Sequence, residues 1–247
     1  MIFPEWTTAN ITLYIVLFIA ALGAGPVIYF GQAMLGEDKL RSKGKIPARV
    51  GMTFLYSVPI LALYISARDY VPNASPIQWT VLAVVALHFV KRVSESLFVH
   101  RYSKPSGLLP TFLVASLYST AAFVIGWLNR APIPAVDVGF ILGILFFVIG
   151  IAGNFYHHKL LADLRKNSFD YFIPKGGWFE YVVCPHYLFE IITWLGFAML
   201  SRHLAVWLIL LFVIGYLTAR GLRTLEWYRQ NFSSFPKDRK AILPFIL

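Results

Sequence analysis

Val138-Gly139-Phe140-Ile141-Leu142-Gly143-Ile144-Leu145-Phe146-Phe147-Val148-Ile149-Gly150-Ile151-Ala152-Gly153 carries no charged side chain, and its reading decides the architecture. Extended to Asp137 on one side and to Asn154 and His158 on the other, the window 137–158 has the roughly 20 mostly apolar residues that a bilayer-crossing helix needs. Six further windows read the same way, at about 10–35, 50–68, 77–100, 107–129, 179–201 and 203–227. The first begins behind Asn10 and holds Gly23, Gly25 and Pro26, which predicts a kink. No basic residue precedes it and no small-residue cleavage site follows it, so it does not read as a removable signal peptide. The expected fold is all-α: a polytopic membrane protein of seven transmembrane helices, with residues 1–247 forming a single seven-helix domain.

Composition agrees. Of 247 residues, 58% are hydrophobic and only 14% charged, where soluble domains carry about a quarter charged residues. Mean hydropathy is +0.65. Disorder, a charged repeat array and an ordinary water-soluble enzyme are excluded. A single cysteine, Cys184, excludes a disulfide framework and a cysteine-based metal cluster. The net charge of +10 could suggest nucleic acid, but in so apolar a chain the placement of the charges matters more than their sum.

That placement is one-sided. Lys39, Arg41, Lys43, Lys45 and Arg49 follow the first span, and Lys91, Arg92, Arg101 and Lys104 surround the third-to-fourth connection. Lys159, Arg165, Lys166 and Lys175 sit between the fifth and sixth. Arg220, Arg223, Arg229, Lys237, Arg239 and Lys240 end the chain. With seven spans these segments share one side and hold 19 of the 22 basic residues, leaving only Arg68, Arg130 and Arg202 on the other. Cytoplasmic loops concentrate Lys and Arg. The C-terminus is therefore expected in the cytoplasm and the N-terminus outside or in the lumen. The membrane would be the endoplasmic reticulum in a eukaryote or the inner membrane in a bacterium.

Ionisable groups within spans are costly and are functional suspects by default. His88, Lys91, Arg92 and Glu95 recur at i, i+3, i+4 and i+7, one helical face. Asn154, His158 and Arg165 share a face of the fifth helix; His186, Glu190 and Trp194, with Tyr187 adjacent, mark the sixth; Arg220, Arg223, Glu226 and Tyr228 mark the seventh. Each stripe lies in the cytoplasmic half of its helix, which implies a shared polar cavity open to the cytoplasmic side. Arginine and lysine there call for anionic contents, since uncompensated buried charge is costly. A phosphate-bearing ligand fits, and anionic lipid headgroups are the alternative at the rim.

Other chemistries find no motif. There is no Gly-rich dinucleotide fingerprint between a strand and a helix, and no His-Glu-x-x-His run. His157-His158 lacks the helical i, i+4 partner that zinc uses, so no metal is assigned. Cys184, beside Pro185, reads as a packed thiol.

The C-terminal part of the chain, residues 151–247, resembles the steroid 5-alpha-reductase family of membrane reductases. The residues that carry the resemblance are Gly153-Asn154, Leu164-Arg165-Lys166, Ile173-Pro174-Lys175-Gly176-Gly177-Trp178-Phe179-Glu180-Tyr181, Cys184-Pro185-His186-Tyr187-Leu188-Phe189-Glu190 with Trp194 and Gly196, and the closing stretch Phe235-Pro236-Lys237-Asp238-Arg239-Lys240 to Leu247. Upstream, Lys45-Ile46-Pro47-Ala48-Arg49 is similar to the family's entry into its second helix. The run from His88-Phe89-Val90-Lys91-Arg92 through Glu95 to Phe98-Val99-His100-Arg101 is more similar to the related trans-2-enoyl-CoA reductases.

The resemblance implies NADPH-dependent reduction of a carbon–carbon double bond conjugated to a carbonyl. The lipid substrate would be a 3-oxo-Δ4-steroid or sterol, with an enoyl-CoA thioester or a polyprenal as the alternative. Position by position it places Asn154, Arg165, Tyr171, His186, Glu190, Trp194, Arg220 and Tyr228 at the cofactor, with Arg92 as an addition and His158, which stands where some members have an aspartate, counted with them. The substrate half departs from the family. Tyr56-Ser57 stands where steroid reductases have a Gln-Glu pair before a proline, here Pro59, and Phe89 stands where they have a tyrosine. Thr224 also replaces a histidine of many members. Tyr56 and Tyr187 are the candidates to supply the acidic proton; a packed aromatic with a satisfied hydroxyl is the plain alternative for each. Two rival functions are weighed. An isoprenylcysteine-type methyltransferase usually reads Arg-His-Pro where this chain has Cys184-Pro185-His186. An anion transporter would show paired repeats and polar groups on both sides, and neither occurs.

Overall fold

The computed structural model describes residues 1–35, 44–166 and 172–247, with residues 32–35 described by backbone alone. Among these, seven long helices run in chain order: α1 (Thr8–Leu35), α2 (Ala48–Ala67), α3 (Pro76–Ser94), α4 (Leu108–Leu128), α5 (Val138–Leu164), α6 (Pro185–Ser201) and α7 (Leu204–Asn231). Their starts follow local chemistry. Ser75 and Gln78 form a reciprocal capping box ahead of α3, with Pro76 at the first helical position. Asp137 accepts the backbone N–H of Phe140 at 2.8 Å to open α5. Helix α1 stays helical on both sides of Pro26.

The sixth helix begins at Pro185, six residues later than the hydropathy window suggests. Gly176 and Gly177 adopt positive φ values of 86° and 54°, which ends regular structure there, and Gly177–Glu180 make a single 3-10 turn. The N–H groups of Val183 and Cys184 then donate to the carbonyls of Lys240 and Ala241 instead of entering a helix. At the other end of the third window, a π-turn over Glu95–Val99 follows α3 and brings His100 N–H to the Glu95 carbonyl at 2.8 Å.

Helices pair α5 with α6, α2 with α4, and α1 with α7, and α2–α3 and α6–α7 contacts close the bundle. Small residues let backbones approach: a Cβ on Gly196 would stand 2.8 Å from Phe147 N, and one on Gly150 2.5 Å from Thr193 N. The core comprises Val85, Phe89, Ile125, Trp194, Phe197, Leu200 and Val206 with their neighbours from α2, α4 and α5. Large apolar side chains also cover the outside, including Ile15, Ile19, Leu113, Ile141 and Leu145, as lipid contact requires.

Among the described residues, five helices are long and apolar enough to cross a membrane: Thr8–Gly31 of α1, α2, α4, α5 and α7. The protein is integral to a membrane. Helices α3 and α6 fall outside that set for a reason that matters to function. Helix α3 carries His88, Lys91 and Arg92, and α6 is only 17 residues long with eleven of them buried. The buried face of α3 and the enclosed α6 build most of the site.

The ends of the bundle differ. At one, Ile2 N–H donates to the Arg202 carbonyl, Leu204 N–H donates to the Ile2 carbonyl, and Arg202 reaches Asp137. At the other, the basic segments are tied to each other in series. Lys45–Ile46 (β1) pairs antiparallel with Ser106–Gly107 (β2). Arg101 donates to the Lys166 carbonyl, and Arg239 donates to that of Pro174.

Candidate active site

Where α2, α3, α5 and α6 meet, their polar residues form one connected, buried knot. Arg92 is 8% exposed and is engaged on three sides. Its Nη1 donates to Glu95 Oε2 at 2.6 Å and lies 2.8 Å from His158 Nδ1; its Nη2 donates to the Tyr56 hydroxyl at 2.5 Å. The guanidinium carbon also sits 4.5 Å from the centre of the Tyr56 ring. Glu95 Oε1 takes Lys91 Nζ at 2.9 Å. Lys91 hydrogen-bonds Asn154 Oδ1 as well, and the Asn154 amide donates to the His186 carbonyl at 2.9 Å. The π-turn after α3 is what turns Glu95 and His100 back toward α5.

A second set follows on α6. Trp194 Nε1 donates to Glu190 Oε1 at 3.2 Å, and His88 Nε2 lies 3.4 Å from the same oxygen without hydrogen-bond alignment. Both ring nitrogens of His88 and Nδ1 of His186 are buried without a hydrogen-bond partner among the described residues. On α7, Arg220 donates to the Tyr216 hydroxyl at 2.9 Å and stands 5.9 Å from the Tyr187 ring centre.

The structure thus brings together Tyr56, Arg92, Asn154, His158, His186, Glu190 and Trp194, with Tyr187 and Arg220 beside them. Arg165 caps the end of α5 and donates to the Arg101 carbonyl at 3.2 Å, at the basic end of the bundle. Tyr228 stands in a separate cluster with Val183, Cys184, Leu225 and Ile242. Its ring stacks between Phe232 and Phe235, and its hydroxyl donates to the Phe172 carbonyl at 3.1 Å. Tyr171 lies outside the described residues.

Three residues were not assigned to the site from the sequence. Tyr118 of α4 stacks on Trp194 at 6.1 Å and lies within 5.9 Å of the Tyr56 and Phe89 rings; nothing charged flanks it in sequence. His100 packs on His158 at 4.8 Å, and burial pushes it down to about 4. Its place is set by the π-turn, which helical periodicity does not reveal. His157 accepts from Trp178 N–H at 3.1 Å and meets the Gly153 carbonyl at 2.7 Å, pinning the Gly176–Gly177 loop to α5.

Glu95, His100 and His158 offer ligand atoms within 4.8 Å of one another. The carboxylate is already taken by Arg92 and Lys91, two cations that would repel a metal ion, so the cluster reads as an ion-pair knot. Cys184 is 2% exposed and its thiol is pushed up to about 12 by burial, consistent with a packed side chain. On the outer face of α2, an open apolar groove of about 410 Å³ is lined by Arg49, Val50, Thr53, Phe54, Ser57 and Leu97, none of them part of the knot.

Comparison with known proteins bears on this geometry. A family model described as 3-oxo-5-alpha-steroid 4-dehydrogenase matches residues 111–247. The chain is 32% identical to 3-oxo-5-alpha-steroid 4-dehydrogenase 1 of Rattus norvegicus, over 82% of each chain. It is 33% identical to a very-long-chain enoyl-CoA reductase of Dictyostelium discoideum, over 92% of this chain and 76% of the other. A polyprenal reductase of Oryza sativa subsp. indica is 38% identical over 42% of this chain and 31% of its own.

Proposed function

Since the chain belongs to the 3-oxo-5-alpha-steroid 4-dehydrogenase family, an oxidoreductase family of membrane reductases, we propose that it uses NADPH to reduce a carbon–carbon double bond conjugated to a carbonyl in a lipid. The leading substrate is a 3-oxo-Δ4-steroid or sterol. An enoyl-CoA thioester is the second reading, supported by the third-helix run from His88 to Arg101 and by the long match to the enoyl-CoA reductase; a polyprenal is a further variant of it. The proposal includes a single domain of seven spans, with α3 and α6 crossing beside the five apolar helices. The basic end then faces the cytoplasm and holds the cofactor.

The residues fit such a cofactor. Buried nitrogens of His88 and His186 have no partner among the described residues, and Asn154, His158, Glu190 and Trp194 surround them with amide, imidazole, carboxylate and aromatic groups. Arg165 and Arg220 supply cations suited to phosphates, and Tyr171 and Tyr228 complete the set by resemblance. Arg92 stands apart from the phosphates, because its guanidinium is engaged by Tyr56, Glu95 and His158.

The bound cofactor supplies hydride to the β-carbon of the substrate. The protein's part is to hold the substrate carbonyl, exclude water and provide a proton. Tyr56 is the first candidate donor: it is 5% exposed, its oxygen accepts from Arg92, and its own proton meets no acceptor among the described residues. Tyr187, beside Arg220, is the second. The observation that carries the reading is this convergence of Tyr56, Arg92, Asn154, His158, His186 and Glu190 in a chain of this family.

The test uses NADPH deuterated at the transferring position with the purified protein, offering in turn a 3-oxo-Δ4-steroid, a long-chain trans-2-enoyl-CoA and a polyprenal. One saturated product is expected, with deuterium at the former β-carbon. No labelled product from any of them would refute the reading.

A further inference from the structure

We propose that Arg92 is a positioning residue of the substrate half of the site: held by Glu95 and His158, it orients and charges the hydroxyl of Tyr56 in place of the missing electrophilic pair. This rests on the reductase reading and goes beyond it by assigning Arg92 away from the cofactor.

The geometry is specific. The Tyr56 oxygen receives an N–H from Arg92, so one of its lone pairs is occupied and its own proton is directed elsewhere. Around it stand the rings of Tyr118 and, one layer on, Phe89 and Trp194. Tyr118 stacks on Trp194, is tilted by 43° to Tyr56 and meets Phe89 edge-on, so the Tyr56 hydroxyl lies in an aromatic surround suited to an apolar enone. Arg92 cannot swing away, because Glu95 Oε2 and His158 Nδ1 hold its other terminal nitrogen at 2.6 and 2.8 Å. Glu95 is in turn fixed by Lys91. The four elements contribute in order: α5 gives His158, the π-turn gives Glu95, α3 gives Arg92 and α2 gives Tyr56.

The chemistry balances. As hydride from NADPH forms the new C–H bond at the β-carbon, the π pair moves onto the carbonyl oxygen and NADP⁺ is left. The O–H bond of Tyr56 breaks and an O–H bond forms on that oxygen, giving the enol and a phenolate that faces the Arg92 cation. The enol passes that proton to water as water delivers one to its α-carbon, and the Tyr56 phenolate takes one proton from solvent, so hydride and one proton are consumed overall. A cation fixed beside the phenolate stabilises charge only as it develops, which is the kind of interaction that lowers a barrier. A role in packing alone would be served as well by apolar side chains, since replacing buried ion pairs with hydrophobic residues is often neutral or stabilising.

Three variants of the full chain, Arg92→Lys, Tyr56→Phe and the double, are purified in detergent beside the wild type. Each is measured for protection by NADPH in thermal unfolding and for kcat and KM with whichever of the three substrate probes the wild type reduces. Lysine keeps the charge but loses the fork that grips both Tyr56 and Glu95. Arg92→Lys is expected to keep the NADPH-induced shift and to lower kcat about tenfold or more, within the range that positioned acid catalysis supplies. The double variant should be no slower than the slower single, because both changes act through one hydroxyl. Loss of the NADPH shift in Arg92→Lys, an unchanged kcat, or independent multiplying effects would each overturn the assignment. Should Arg92→Lys fail to fold, Glu95→Gln loosens Arg92 without removing it. A fall in kcat with NADPH protection intact supports the proposal, and an unaltered kcat overturns it. A wild type that NADPH does not protect and that reduces none of the probes removes the reductase reading, and this assignment with it.

Discussion

Arg165 shows how one side chain divides the site into two chemistries. It caps α5 at the basic end, about two turns beyond His158, with one N–H on the Arg101 carbonyl. Arg92, by contrast, is buried and engaged within the bundle. If Arg165 meets a cofactor phosphate, Arg165→Ala should weaken NADPH binding about ten- to a hundredfold, the size of a charged hydrogen bond of 1.5–3 kcal/mol. The saturating kcat should change little. Titration of NADPH protection in thermal unfolding reads this directly, and unchanged affinity would remove the role. At this scale the sequence was informative where chemistry follows helical spacing: His88, Arg92 and Glu95, or His186 and Glu190, lie on one face by arithmetic. It was silent on Tyr118, whose partners Tyr56 and Trp194 come from other helices. It was also silent on His100, which a π-turn swings to His158.

Helices α5 and α6 form the most intimate contact of the bundle, and small residues set it. A methyl group on Gly196 would press against Phe147 N and the Gly143 carbonyl at 2.8 and 2.9 Å. Gly23 on α1 has nothing within 4 Å. Gly196→Ala is therefore expected to destabilise the protein by about 1–3 kcal/mol through overpacking, and Gly23→Ala to leave the melting temperature unchanged or slightly higher. Equal effects would show that the α5–α6 approach does not control stability. The same comparison explains what hydropathy could and could not place. Windows for α2, α4, α5 and α7 fall on their helices, because long apolar runs leave one solution in lipid. The start of α6 was misplaced, because Trp178, Phe179, Tyr181 and Val182 are apolar yet lie in a turn and a strand-like segment paired to Lys240. Phe179 and Val182 are buried there, while Trp178 and Tyr181 are exposed, so apolarity in this stretch does not mark a span.

For the molecule as a whole, the buried faces of α3 and α6 bring polar and ionisable side chains together inside an otherwise apolar bundle. Burying Arg92, Glu95, Lys91 and His158 inside a membrane bundle is costly, and the knot meets that cost by pairing each group. What remains unpaired among the described residues includes the His88 nitrogens and His186 Nδ1, polar groups left for a ligand to meet. The central claim is that this site holds NADPH, and thermal unfolding of the detergent-purified chain with NADPH, NADH or S-adenosylmethionine tests it most directly. A ligand that binds only the folded state raises the melting temperature. The account predicts a clear upward shift with NADPH and none with S-adenosylmethionine; a shift with S-adenosylmethionine alone, or none with any of the three, would contradict it.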